Sequence, residues 1–152
     1  MAASLLYSGA VLSDFLPDRI EPGVVLCRSG KYTSIAECEA NSVIQMVPVI
    51  DNMFILGMDI YWTALGSSVT LDVGDDGNVD RFFDGIDASA LGNATLAVEG
   101  DVATCFGQVY AADNTIDIKI LGAVLPVAAV IQLDVYYKML DGIRDEITAF
   151  GA

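Results

Sequence analysis

The chain contains no histidine, and only seven lysines and arginines stand against 21 aspartates and glutamates, a net charge of −14 over 152 residues. Without histidine, neither a Ser-His-Asp nor a Cys-His nucleophile arrangement is available within one chain, and zinc would depend on thiolates and carboxylates alone. The shortage of cations disfavours direct binding to nucleic-acid phosphates. Cysteine is sparse as well. Cys27, Cys38 and Cys105 are odd in number and lack zinc-ligand spacing, so they read as buried free thiols and not as a disulfide framework. Long apolar runs are missing: the longest candidate, Leu121 to Ile131, is broken by Gly122 and Pro126 and falls short of the roughly 18 to 20 residues a bilayer requires. No membrane partner is expected, and Met1 to Tyr7 show no basic region leading into a secretory leader. Neither a GxxxxGK[ST] phosphate loop nor a GxGxxG after a strand occurs.

What is abundant is apolar: 54% of residues, with a mean hydropathy of +0.53. A chain of this length forms one ordinary domain that buries about 68 to 70% of its unfolded surface. Apolar content this high in a chain with no membrane span implies surface hidden against protein partners, as in obligate interfaces. The acidic residues are scattered through turns and strand edges, which reads as a solvated, solubilising exterior.

Turn chemistry divides the chain into short extended segments. Met53 to Trp62 is rich in bulky residues that suit a pleated, half-buried surface and is expected to be a core strand. Val69 to Val73 is a second strand, Gly74 to Asn78 a turn, and Asp80 to Ala88 a helical turn or an ordered loop. Val24 to Arg28 and Lys31 to Ile35 flank Ser29-Gly30 as a tight hairpin would. Ser42 to Ile50 is a strand that Pro48 confines to an edge or a bulge. Asn93 to Val98 and Thr104 to Tyr110 are further strands. Thr115 to Ile120 has the cleanest two-residue period, with Ile116, Ile118 and Ile120 on one face, and Val127 to Met139 is a long buried strand. Residues 1–22, with Pro17 and Pro22, are expected to form an extended arm, 23–139 a β-sandwich, and 140–152 a short amphipathic helix or interaction peptide. Eight or so such strands specify an all-β fold, an antiparallel two-sheet sandwich of jelly-roll type.

Two features carry the only hints of chemistry. Asp72, Asp75, Asp76, Asn78 and Asp80 lie within nine residues, an oxygen-rich turn of the kind that holds calcium. Set on an EF-hand loop starting at Asp72, however, Gly74 occupies a ligand position and Phe83 stands where the bidentate Glu belongs, so that motif fails; a plain acidic turn is favoured over a weaker calcium site at Asp72, Asp75, Asp76 and Asp80. Adjacent Asp75 and Asp76 resemble a carboxylate pair for glycoside hydrolysis, but neighbouring turn acids more often face solvent. No cofactor and no enzymatic activity are expected.

The succession Thr70-Leu71-Asp72-Val73-Gly74-Asp75, Val79-Asp80-Arg81-Phe82, Gly85-Ile86-Asp87-Ala88-Ser89 and Tyr110-Ala111-Ala112-Asp113-Asn114-Thr115-Ile116-Asp117, closed by an apolar strand ending near Tyr137, resembles small virion structural proteins of tailed bacteriophages over roughly residues 43 to 138. The resemblance implies a non-enzymatic β-sandwich on the capsid exterior, a cement or decoration protein that assembles with itself, commonly as a trimer, and contacts the major capsid protein. The alternative is a fibre, an adaptor or a receptor- or carbohydrate-binding module, which would carry a solvent-facing aromatic platform. For the cement role, Tyr7, Phe15, Leu16, Trp62, Phe82, Phe83 and Phe150 are candidate inter-subunit anchors, with a core position the stronger expectation for Trp62 and Phe82.

Overall fold

The computed structural model describes residues 24–105 and 107–140. Eight strands form in chain order: β1 (Leu26–Thr33), β2 (Val43–Val49), β3 (Met53–Trp62), β4 (Thr70–Asp75), β5 (Asn78–Asp87), β6 (Gly92–Thr95), β7 (Asn114–Leu121) and β8 (Val130–Met139). They build two four-stranded sheets, β1-β8-β3-β6 and β2-β7-β4-β5, and all the pairings are antiparallel. The pairs β1·β8, β2·β7, β3·β6 and β4·β5 nest one inside the next, as in a single long ribbon folded at its middle. Fusing its edges through β3·β8 and β4·β7 wraps that ribbon around a core, the winding pattern of a jelly roll. The expected all-β, two-sheet sandwich is what forms.

Two-residue alternation selects the core. Ile116, Ile118 and Ile120 of β7 face Ile131, Leu133 and Val135 of β8 across the sandwich interior, all fully buried. Met53, Met58, Ile60, Leu71, Val73, Phe82 and Phe83 complete the same cluster. At the corner where the sheets meet, the Arg28 guanidinium donates to the Pro48 carbonyl of β2 at 2.8 Å and lies 5.5 Å from the centre of the Tyr137 ring, tying β1 to the opposite sheet.

Several expectations need correction. Ser29-Gly30 is not a hairpin: β1 runs straight through it, paired with β8 from Leu26↔Tyr137 to Thr33↔Val130. Glycine is required there because a Cβ would collide with the Met46 carbonyl oxygen of β2. Asp80 to Ala88 is not a helical turn or loop but most of β5, whose alternation is disguised by bulges against β4; Gly85, at φ +66, supplies the left-handed residue of one. Thr104 to Tyr110 is not a strand. A helical turn covers Val102–Cys105, and only an isolated Val109↔Phe54 bridge follows. Asn93 to Val98 is extended to Thr95 and then turns helical over Leu96–Glu99. The expected N-terminal arm and C-terminal segment lie outside the described residues, Leu140 excepted.

Candidate functional site

The acidic turn is an internally satisfied lock. Asp75, 3% exposed, accepts from Arg81 Nε at 2.7 Å and Nη2 at 3.3 Å, from the Tyr110 hydroxyl at 2.9 Å, and from the Gly77 and Asn78 amides at 2.9 and 3.0 Å. Arg81 Nη1 reaches on to Gln108 Oε1 at 3.0 Å, so the β4–β5 turn is bound to the segment before β7. Burial pushes the Asp75 carboxyl upward, but the Arg81, Tyr110 and Asn78 hydrogen bonds together outweigh it and leave the pKa below the ordinary carboxylate value. Burial and the Asp75 charge push the Tyr110 phenol strongly up.

Asp72 lies on the outer side of β4, where the β5 bulge covers it; its Oδ1 accepts from the Gly85 amide at 2.8 Å, and burial raises its pKa. Asp76 is exposed at the turn and Asp80 is half-buried on β5. Among the described residues no three Cys, Asp or Glu side chains converge, and the oxygens of Asp75 are occupied by its own donors. Asp75 is thus committed to holding its own turn, while Asp76 stands apart from it at the surface.

The outer face of the β1-β8-β3-β6 sheet is of another kind. Register aligns its outward side chains in rows: Lys31, Gln132, Tyr61 and Asn93; then Ser29, Asp134, Asp59 and Thr95; then Cys27, Tyr136 and Gly57. An antiparallel sheet with one solvated face would place polar groups here throughout. Instead Tyr61 is 43% exposed, and Leu56, the extra residue of a bulge between Ile55 and Gly57, is 39% exposed. An open hollow of about 400 Å³ is lined by Tyr61, Leu91, Asn93, Val130, Gln132 and Lys31 among others. Asp59 and Asp134 stand directly opposite each other in the middle row, and the charge of Asp59 raises the Tyr136 phenol.

Among the described residues, the expected anchors Trp62, Phe82 and Phe83 turn inward from this face. Phe82 and Phe83 are fully buried core residues, both turned inward by the irregular pairing of β5 with β4, so they offer a neighbouring subunit nothing. Trp62 is 6% exposed and donates through Nε1 to the Ala90 carbonyl at 2.8 Å. Tyr7, Phe15, Leu16 and Phe150 lie outside the described residues. The residues that the sequence did not single out are Asp59, Tyr61, Asp134 and Tyr136. Alternation around buried Ile60 and Val135 marks all four as outward, but only the register reveals that the two acids meet.

No protein-family model matches the chain, and no curated protein sequence matches it. Solved structures do. A chain in the capsid of Ralstonia phage GP4 superposes with a TM-score of 0.66 at 18% identity, covering 82% of this chain and 88% of that one. A chain in the capsid asymmetric unit of cyanophage Pam1 gives 0.65 at 15% identity, with 82% and 91% covered. A chain in the acidic stable capsid of Helicobacter pylori bacteriophage KHP30 gives 0.52 at 14%, with 78% and 90% covered. At such identities the likeness is one of fold.

Proposed function

We propose that this chain is a non-enzymatic virion structural protein that binds the outer surface of a phage capsid and stabilises it, acting as a small homo-oligomer of three copies held against the major capsid protein. The observation that carries this reading is that the fold match spans nearly the whole of both chains, 82% of this one and 88% of the GP4 capsid chain, so a free-standing domain of this size occurs in such a shell. The interior supports it: the described core is packed with apolar side chains, and its buried Asp75–Arg81–Tyr110 network is spent on closing a turn. A net charge of −14 suits a particle exterior facing water more than a lumen packed with nucleic acid. The test is to add the purified protein to shells assembled from the major capsid protein of the same genome. Co-sedimentation at a fixed stoichiometry and a higher shell melting temperature are expected. Shells that neither bind the protein nor gain stability would overturn the reading.

A further inference from the structure

We infer that the loop end of the sandwich is where this chain meets a second copy of itself, the segment Ile35–Ala36–Glu37 of one copy entering the hollow beside Lys31 and Leu91 of the next. This deepens the proposed function by giving its self-association a surface, and it rests on that part of the reading. Four loops, 34–42, 63–69, 88–91 and 122–129, cap the end at which β1, β3, β5 and β7 finish. Hydrogen bonds lock them to one another. The Ser34 amide donates to the Ala129 carbonyl at 2.9 Å and the Leu125 amide to the Cys38 carbonyl at 2.8 Å, while the Leu65 amide donates to the Ala88 carbonyl and the Thr63 amide to the Val130 carbonyl, both at 3.0 Å. The tip is therefore preformed, and it is apolar: Ile35 is 93% exposed, Leu91 77%, and Val124 and Val127 are exposed beside them in chain order on the loop that Ser34 and Cys38 hold. Aliphatic side chains held out of locked loops in this way are stabilised by burial against another protein.

Charge selects the occupant. Copies of a chain carrying −14 repel one another over most of their surface. The four tip loops hold only two charged residues, Glu37 and Glu39, in 28 residues, and 20–30 residues a side is about what a stable interface uses. The remaining connections, 50–52, 76–77 and 96–113, carry Asp51, Asp76, Glu99, Asp101 and Asp113 and no cation, so contact through the tip keeps those acids apart. The two tip acids also fix the orientation. Ser34 and Cys38, both hydrogen-bonded to 122–129, bracket Ile35, Ala36 and Glu37, and all three are exposed. Tip against tip about a two-fold axis would set Glu37 and Glu39 against their own copies. The hollow of about 400 Å³ offers the complementary lining: Tyr61, Leu91 and Val130 are its apolar wall, and Lys31 is exposed with no ion pair among the described residues. Asp59 and Asp134 belong to the next row of the sheet and do not line it. Ile35 follows β1 at one edge of the sheet and Leu91 precedes β6 at the other, so the contact is head-to-tail, the kind that closes a ring of three copies.

The experiment measures self-association of the full chain by analytical ultracentrifugation. Ile35→Asp changes an exposed side chain, so its melting temperature should match the parent within a few degrees, while it sediments as a monomer at concentrations where the parent is an oligomer. Charge reversal then tests the pairing. Lys31→Glu and Glu37→Lys should each weaken association about tenfold, and the two together should restore it to within about threefold of the parent. Glu37→Lys lowers the net negative charge, so general repulsion alone would strengthen the oligomer, and weakening therefore reports the specific contact. Single variants that leave the oligomer intact, or a double variant no tighter than the singles, overturn the inference. So does an Ile35→Asp protein that stays oligomeric but no longer binds shells, which would make the capsid protein the occupant of the tip. A parent chain that is monomeric at every concentration removes this contact and the three-copy assembly together, while its binding to shells still decides the rest of the proposed function. An oligomer that obeys the charge-reversal cycle yet ignores the shells leaves this contact standing and removes the capsid role.

Discussion

At the scale of single residues, the Asp75–Arg81 pair decides how the sandwich end is held. Arg81→Met leaves a nearly buried carboxylate with a phenol and two amides for company but no counter-charge, and breaking such a pair costs roughly 3 kcal/mol, about 10 °C of melting temperature in a domain of this size. In the same variant burial acts on Asp75 without its cation, so the carboxyl pKa rises and the stability deficit relative to the parent should shrink as acidification protonates it. In the intact chain the carboxyls act in opposite directions. Asp72 and Asp117 have raised pKa values, chiefly through burial, so the folded state holds their protons more tightly than the unfolded chain does. Their contribution is fully present below the ordinary carboxylate value of about 4 and is lost as pH rises through their raised values. Asp75 contributes above that value and loses its contribution below it. Denaturant titrations between pH 3 and 8 should therefore show stability rising as pH falls from neutral toward about 4 and dropping below it, with Asp72→Asn reducing the upper slope and leaving the acid limb in place.

At the scale of elements, the bulge in β3 has a consequence that single contacts do not show. Buried residues Met53 and Ile55 precede Leu56, and Met58, Ile60 and Trp62 follow it, a phase slip of one residue. Deleting Leu56 makes the alternation continuous, so the fold should survive with a melting temperature within a few degrees of the parent. Deleting Asp59 instead turns Ile60 and Trp62 outward and should abolish cooperative unfolding; circular dichroism melts of the two deletions check the contrast. Such slips also explain which elements were legible in the sequence. β7 and β8 read directly because each has unbroken alternation against one core. β2 read correctly because Pro48 marks an edge strand. β5 did not, since its bulges put Phe82 and Phe83 inward together and make a strand look aperiodic. Gly30 was misread because a glycine admitting a neighbouring backbone carbonyl has the same signature as a glycine in a turn. The acidic turn was legible as a cluster, but its closure by Tyr110 and Gln108 depends on residues about 30 positions away, and the Asp59↔Asp134 pair depends on the β3·β8 register, which composition does not encode.

At the scale of the whole molecule, the question is how a chain carrying −14 charges adheres to anything, and the positions of its ends bear on the answer. β1 begins at Leu26 opposite Tyr137, and the Leu140 amide donates to Asn52 just before β3, so both chain ends leave from one end of the first sheet. Residues 1–22 carry Leu5, Leu6, Tyr7, Val11, Leu12, Phe15 and Leu16, apolar material for an extended segment that either reaches a neighbouring copy or lies along its own domain. The sandwich core described above draws on β1 to β8, so removing residues 1–22 should leave a folded domain whose melting temperature is little changed. If the arm carries the proposed self-association, light scattering should report a monomer for the truncated chain and the oligomer for the full one. The proposed shell binding should then weaken by about 10² to 10⁴, the avidity that linking several modest contacts supplies. A truncated chain that stays oligomeric, or that binds shells as tightly as the full one, would move the self-association out of the arm and onto the sandwich itself.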